Sequence, residues 1–175
     1  PCAVTPLEGE ELIDGDRLIL ARSDALAPTC LSGEALALPG TPDEGLSEAA
    51  AVRGTLFEWK STPVLSEGGR FRLCWCPSKL QNCTEVSEYA VDAGILQLRG
   101  PYGGQTRRCV GGLPCVLNDL LGEGLEVGDV IEIRSSCYLG EATPGFPGVA
   151  VRGADGHFEW LAAVTATGGN YRKVK

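Results

Sequence analysis

Histidine is almost missing from this chain: His157 is the only one in 175 residues, and methionine is absent altogether. A lone imidazole excludes His-rich zinc sites and leaves one candidate base for any Ser–His or Cys–His chemistry. No Gly-x-Ser-x-Gly elbow, phosphate-binding glycine loop or His-Glu-x-x-His helix occurs. Positive charge is scarce as well, with 15 Lys and Arg against 23 Asp and Glu and a net charge of -8. Such a surface repels nucleic acid and anionic lipid, so neither is an expected partner. No apolar run approaches the roughly 18 residues of a membrane span, so membrane insertion is not expected, and no secretory leader is recognisable. With 24 Gly and 11 Pro punctuating the chain, long helices are not expected either, and the composition reads as all-β.

What the chain does contain is an internal repeat. PCAVTPLEGEELIDGD (residues 1–16) and PCVLNDLLGEGLEVGD (residues 114–129) agree at eight of sixteen positions without a gap, at an offset of 113. Downstream, VRG at 52–54 is answered at 151–153, FEW at 57–59 at 158–160, and GGRFR at 68–72 by GGNYR at 168–172, so the spacing has fallen to about 100. Self-similarity at this period marks an array of modules. The first copy runs on through FRLCWCPSKLQNC and VDAGILQLRGP, whereas the second stops at Lys175 where that part should begin. The sequence therefore reads as a window on a longer polypeptide. Module 1 would span 1–99, lacking its N-terminal strand, and module 2 would span 100–175, lacking its C-terminal strands.

Strand signals follow each Gly-Asp turn, at RLILAR (17–22) and VIEIR (130–134), where branched, alternating residues suit a half-buried strand. Residues 55–59 and 157–163 form a second equivalent pair; residues 70–76 place Phe71, Leu73 and Trp75 on one face, and 95–98 supply a closing strand. Turn signals every ten to fifteen residues or so have the rhythm of a β-sandwich. Phe71, three residues before Cys74, is similar to the tyrosine corner of immunoglobulin-like domains, although the spacing is off by one and the ring lacks a hydroxyl.

Eight cysteines, an even number, lie among strand and turn signals rather than in zinc-ribbon spacing, which points to disulfides in an oxidising compartment. Cys74-Trp75-Cys76 has the spacing of a metal or redox pair, but no second ligand pair follows. Cys2 and Cys30 correspond to Cys115 and Cys137, so the economical assignment is a repeated bond, Cys2–Cys30 and Cys115–Cys137. Of the remaining four, Cys76–Cys83 would close a short loop and Cys74–Cys109 would tie one module to the next. Four cysteines allow three connectivities, and sequence does not choose among them.

Asn82-Cys83-Thr84 satisfies the N-glycosylation rule on a polar loop, and Thr5, Thr41, Thr62 and Thr143 each precede a proline in the manner of O-glycosylation sites. The competing readings are a chance match at Asn82 and prolines that merely shape turns. Glu58 and Glu159 of the two FEW motifs belong to separate repeats, whereas glycosidase chemistry needs carboxyl groups about 5 to 10 Å apart. Glu8, Glu10, Glu11, Asp14 and Asp16, and again Glu123, Glu126 and Asp129, read as solvated faces. Carboxylates beside module junctions would suit calcium, but no D-x-D-x-D-G loop occurs. No other cofactor is expected beyond covalent glycans.

The succession of Gly-Asp plus strand, cysteine, FEW, RLCWCP, cysteine, AGxLxLxGP and CVGGxPC resembles cysteine-rich, immunoglobulin-like repeats of very long extracellular proteins of algae and other protists, over most of the chain. The resemblance implies a structural or surface role rather than an activity. The function expected is therefore a segment of an extracellular glycoprotein filament, fibril or sheath made of disulfide-stapled tandem immunoglobulin-like β-sandwich modules, partnered by copies of itself. The alternative is a repeat-containing cell-surface adhesin or carbohydrate-binding ectodomain, for which Trp59, Trp75 and Tyr102 would have to line a shallow groove.

Overall fold

A computed structural model describes residues 2–22, 30, 38, 40–60, 63–137, 139–146 and 148–160. The chain is all-β and divides into two compact units, Pro1–Arg99 and Gly100–Lys175.

Unit 1 contains β1 (Cys2–Val4), β2 (Arg17–Arg22), β3 (Phe57–Trp59), β4 (Gly69–Cys76) and β5 (Val91–Leu98). β2 runs antiparallel to β4 over six consecutive pairs, from Arg17 opposite Cys76 to Arg22 opposite Phe71. β4 in turn pairs β5, with a register shift after Leu73 that leaves Ala93 as an extra residue on β5. Residues 46–50 join the two sheet fragments: Ser47 and Ala50 donate their N–H groups to the carbonyls of Leu18 and Asp16 at 2.8 and 2.7 Å, and Glu48 donates to Glu58 at 2.8 Å. The hydrogen-bonded succession is thus β1, β3, 46–50, β2, β4, β5.

Alternation along these strands builds two cores. Leu18, Leu20, Phe57, Trp59, Phe71 and Leu73 are buried together, with Cys2 and Val4 packed against them. On the opposite face of β2 and β4, Ile19, Cys74 and Cys76 are buried with Cys83 and Tyr89, and Cys30 packs there. The half-buried strand expected at 17–22 is therefore covered on both faces at its centre. Sulfur supplies much of the second cover, a role that hydrophobic periodicity does not register.

Unit 2 contains β6 (Gly100–Pro101), β7 (Val116–Leu117), β8 (Gly122–Glu123), β9 (Val130–Glu132), β10 (Val149–Arg152) and β11 (Phe158–Glu159). Its main sheet has the order β7-β11-β10-β9, while β6 pairs β8. Cys115, Leu117, Ala150, Phe158 and Trp160 form the core, with Ile131, Ile133 and Phe146 against them.

The sequence repeat is a repeat of register. Ala3 faces Glu58 and Val4 faces Phe57 in unit 1, while Val116 faces Glu159 and Leu117 faces Phe158 in unit 2. Ile19 bridges Leu46, as Glu132 pairs Val149. The Gly-Asp turns repeat too: Gly15 N–H bonds the Ala50 carbonyl and Ala50 N–H that of Asp16, just as Gly128 bonds Arg152 and Arg152 bonds Asp129. These bonds make Ala50, not residue 53, the counterpart of Arg152. The VRG match is therefore out of structural register: Val52, Arg53 and Gly54 occupy a turn in unit 1, whereas Val151 and Arg152 lie in β10.

Candidate functional site

The most distinctive chemistry in the described residues is the disulfide frame and the loop it closes. Cys74 and Cys76 are two apart on β4, so both project from the same face, and each sulfur reaches a different loop. Cys74 bonds Cys30 and Cys76 bonds Cys83, with Cα separations of 5.6 and 5.8 Å. Cys109 bonds Cys115, Cα atoms 5.5 Å apart. Cys2 and Cys137 are free thiols.

Three of the expected pairings are thereby corrected. Cys2–Cys30 does not form because Cys2 packs on the Trp59 face of the sheet and Cys30 on the Tyr89 face. Cys115–Cys137 does not form because Cys115 is buried and bonded to Cys109, while Cys137 is exposed in the turn after β9. Cys74–Cys109 does not form because Cys74 is taken by Cys30. The repeat correctly aligns Cys2 of β1, opposite Trp59, with Cys115 just before β7, whose carbonyl accepts the Trp160 N–H, but equivalent positions need not share a partner. Burial raises the Cys2 thiol pKa.

The loop after β4 is held from several directions. Leu80 and Gln81 fold back onto the Pro77 carbonyl at 3.1 and 3.2 Å, leaving Asn82 exposed. Cys83 is buried, has a left-handed φ of 55° and gives its carbonyl to the Tyr89 hydroxyl at 2.9 Å. The Glu88 carboxylate accepts the N–H groups of Thr84 and Glu85 at 2.6 and 2.9 Å, and these backbone donors, Glu85 first, hold it below its ordinary pKa. Burial pushes the Tyr89 hydroxyl up to about 12, with Glu88 adding to the rise and Arg17 opposing it. The unfolded phenol ionises near 10, so the folded state keeps a proton that the unfolded chain loses. Stability from Tyr89 is complete below about pH 10 and declines as pH rises towards 12,. Alkaline unfolding followed by phenolate absorbance should show this loss, and Tyr89→Phe should be less stable at neutral pH yet lose less on alkalinisation.

Of the Thr-Pro threonines, Thr5 is exposed, Thr143 is half-buried and Thr41 is half-buried with its hydroxyl donated to the Leu38 carbonyl; Thr62 lies outside the described residues. Thr41 is thus a turn-shaping residue.

Two framework anchors recur. The Trp59 indole donates to the Gly45 carbonyl at 2.7 Å and that of Trp160 to the Gly148 carbonyl at 3.1 Å. Gly45 and Gly148 both have left-handed φ, 97° and 79°, and a Cβ on Gly45 would stand 3.2 Å from the Leu20 Cβ. The repeated tryptophans are visible in the sequence, but the glycines that receive them are not. Asp16, expected on a solvated face, is fully buried. Its carboxylate accepts four bonds, from Ile13 N–H and Trp75 Nε1–H (both 3.2 Å) and from Ser78 N–H and Oγ–H (2.9 and 3.0 Å). Asp129 repeats the first of these, accepting Glu126 N–H at 2.8 Å. The Gly-Asp pair shared by both copies was the available signal.

Burial decides the fate of the aromatic groove. Trp59 is wholly enclosed, while Tyr102 is exposed and belongs to unit 2. Only Trp75 faces a groove in unit 1, of about 220 Å³, with Leu7, Leu12, Val91 and Asp92 among its walls. Glu58 and Glu159 are exposed strand residues in separate units, and the His157 imidazole lies 3.4 Å from Asp155 across a tight turn. Among the described residues no group of three His, Cys, Asp or Glu side chains converges as a metal site.

No protein-family model matches the chain, and no solved structure does. A curated relative, Cysteine repeat modular protein B of Toxoplasma gondii, is 32% identical over 65 residues, which cover 35% of this chain and 1% of the relative. The chain thus spans only a small fraction of the length of the protein it matches. Three disulfides in a short all-β chain persist in oxidising surroundings, and together with this similarity they fit a cysteine-rich repeat sequence.

Proposed function

We propose that the chain is a segment of a secreted or cell-surface structural glycoprotein, built from tandem β-sandwich modules of immunoglobulin-like kind that assemble with copies of themselves into a filament or sheath. The observation that carries this reading is what the repeat preserves. The shared features of the two units are a strand register, a Trp–Gly anchor and an Asp-capped turn, all parts of a scaffold. The acidic and thiol positions that recur, Asp16 with Asp129, Glu58 with Glu159 and Cys2 with Cys115, lie in or beside these same strands and turns, which speaks for a building element rather than a catalyst. Arrays of such units gain length while each unit keeps its own core. The name of the relative, a cysteine repeat modular protein, accords with this.

Electron microscopy of the native, unreduced material tests the proposal. Regular fibrils with an axial repeat are expected; dispersed monomers at all concentrations would overturn it. The Trp75 groove favours a second reading, a surface adhesin that stacks a sugar ring on the indole. Saturable glycan binding abolished by Trp75→Ala, with no fibrils, would select that reading.

A further inference from the structure

Asn82-Cys83-Thr84 is the only Asn-x-Ser/Thr triplet in the sequence, and its central residue is half of a disulfide. The Asn82 side chain is open to solvent, yet the triplet as a whole is not. A glycosyltransferase that reads three consecutive residues must hold the backbone from Asn through Thr. Here the middle residue has its sulfur tied inward to Cys76, is buried, and sits at a left-handed φ of 55° that a residue with a Cβ adopts only when held there,. Its carbonyl is capped by the Tyr89 hydroxyl, and the Thr84 N–H is capped by Glu88. The backbone groups an enzyme would need are already spoken for once the loop is closed.

Closure is also fast when chemistry permits. Cys76 and Cys83 are seven residues apart, and a chain of about ten residues brings its ends together in roughly 10–100 ns. Bond formation therefore waits on an oxidant, not on the chain's search.

We propose that Asn82 carries an N-linked glycan that can be added only while Cys83 is a free thiol, so that closure of the Cys76–Cys83 bond ends modification and the redox state sets occupancy. This rests on the secreted reading above. In the modifying step the Asn82 amide nitrogen attacks C1 of a lipid-diphosphate-linked oligosaccharide, forming the N-glycosidic bond, losing one proton and expelling the lipid diphosphate. In the competing step Cys76 and Cys83 give up two protons and two electrons to the disulfide of a thiol oxidoreductase, which leaves as a dithiol. A glycan already attached does not prevent later closure, because the Asn82 side chain points to solvent while the Cys83 sulfur points inward.

The test is cell-free translation of the full chain behind a secretory leader in the presence of endoplasmic-reticulum microsomes, with and without dithiothreitol. The readout is the one-glycan mass increment removed by peptide N-glycosidase, assigned to Asn82 by glycopeptide mass spectrometry. Reductant should raise wild-type occupancy by about twofold where the two steps run at similar rates, since removing an equal competitor turns half occupancy into full. Cys76→Ser should reach the same level without reductant and no longer respond to it, and Thr84→Ala should lose the increment. Wild-type occupancy unchanged by both reductant and Cys76→Ser, or no increment in any sample, would overturn the proposal. Because the leader supplies the secretory route, such a failure would fall on Asn82 and not on the filament reading, which microscopy tests separately.

Discussion

Trp59→Ala should lower the stability of unit 1 by about 3–5 kcal/mol, the range for removing a large aromatic ring from a packed core. The indole is fully buried among Leu18, Leu20, Phe57 and Phe71, and its position on β3 opposite Cys2 on β1 leaves little freedom for neighbours to collapse into the space. Part of the loss is polar. The Gly45 carbonyl that receives the indole N–H at 2.7 Å would be stranded in an apolar setting, which costs about 1–3 kcal/mol by itself. Trp59→Phe separates the two contributions, keeping most of the ring while removing the donor, and should fall between alanine and wild type. Urea unfolding of the oxidised protein, followed by hydrogen exchange in β2 and β4, measures both. A loss below about 1 kcal/mol for the alanine variant would mean that the ring does not organise this core.

Removing the Cys30–Cys74 bond should cost about 4 kcal/mol, and removing Cys76–Cys83 about 2 kcal/mol, because the first restrains 44 residues of the unfolded chain and the second only seven,. Both bonds leave β4 from positions two apart, so their effects should not be additive. Replacing both partners of a pair with alanine avoids creating a stray thiol. Cys30→Ala/Cys74→Ala should also loosen the Ile19 and Tyr89 side of the sheet, seen as faster amide exchange at Ile19, while the Trp59 side stays protected. Equal losses for the two bonds would show that burial of sulfur, rather than restraint of the unfolded chain, sets their contribution. Peptide mapping without reduction checks the pairing itself.

The tertiary structure gives the earlier sequence features their places. β2 at residues 17–22 was legible because branched residues alternate there immediately after a Gly-Asp turn, and the packed strand Arg17–Arg22 follows that pattern. The two FEW segments were legible as strands because they recur in both copies and set a charged residue between two aromatic ones, the alternation of a half-buried strand. The segment 46–50 was not, since SEAA carries no strand propensity and is held by bonds to Leu18, Asp16 and Glu58, all distant in sequence. The candidate loop was legible as Asn82-Cys83-Thr84 and as a seven-residue cysteine spacing, both local properties. Its pinning by Tyr89 and Glu88 was not, because those contacts depend on how the chain returns after the turn.

By itself, then, the sequence determined the all-β class, the repeat and the positions that carry Trp59, Trp160, Asp16 and Asp129 in equivalent strands and turns. These are set by short-range alternation and by turn chemistry, which act on neighbouring residues whatever the rest of the chain does. Tertiary structure alone decided that Cys2 and Cys30 lie on opposite faces of one sheet, that Cys74 and Cys76 serve two different loops, and that the VRG triplets are not equivalent. Which sulfur meets which, and which residue faces which across a sheet, depend on long-range register, where a shift of a single residue turns every side chain to the other face.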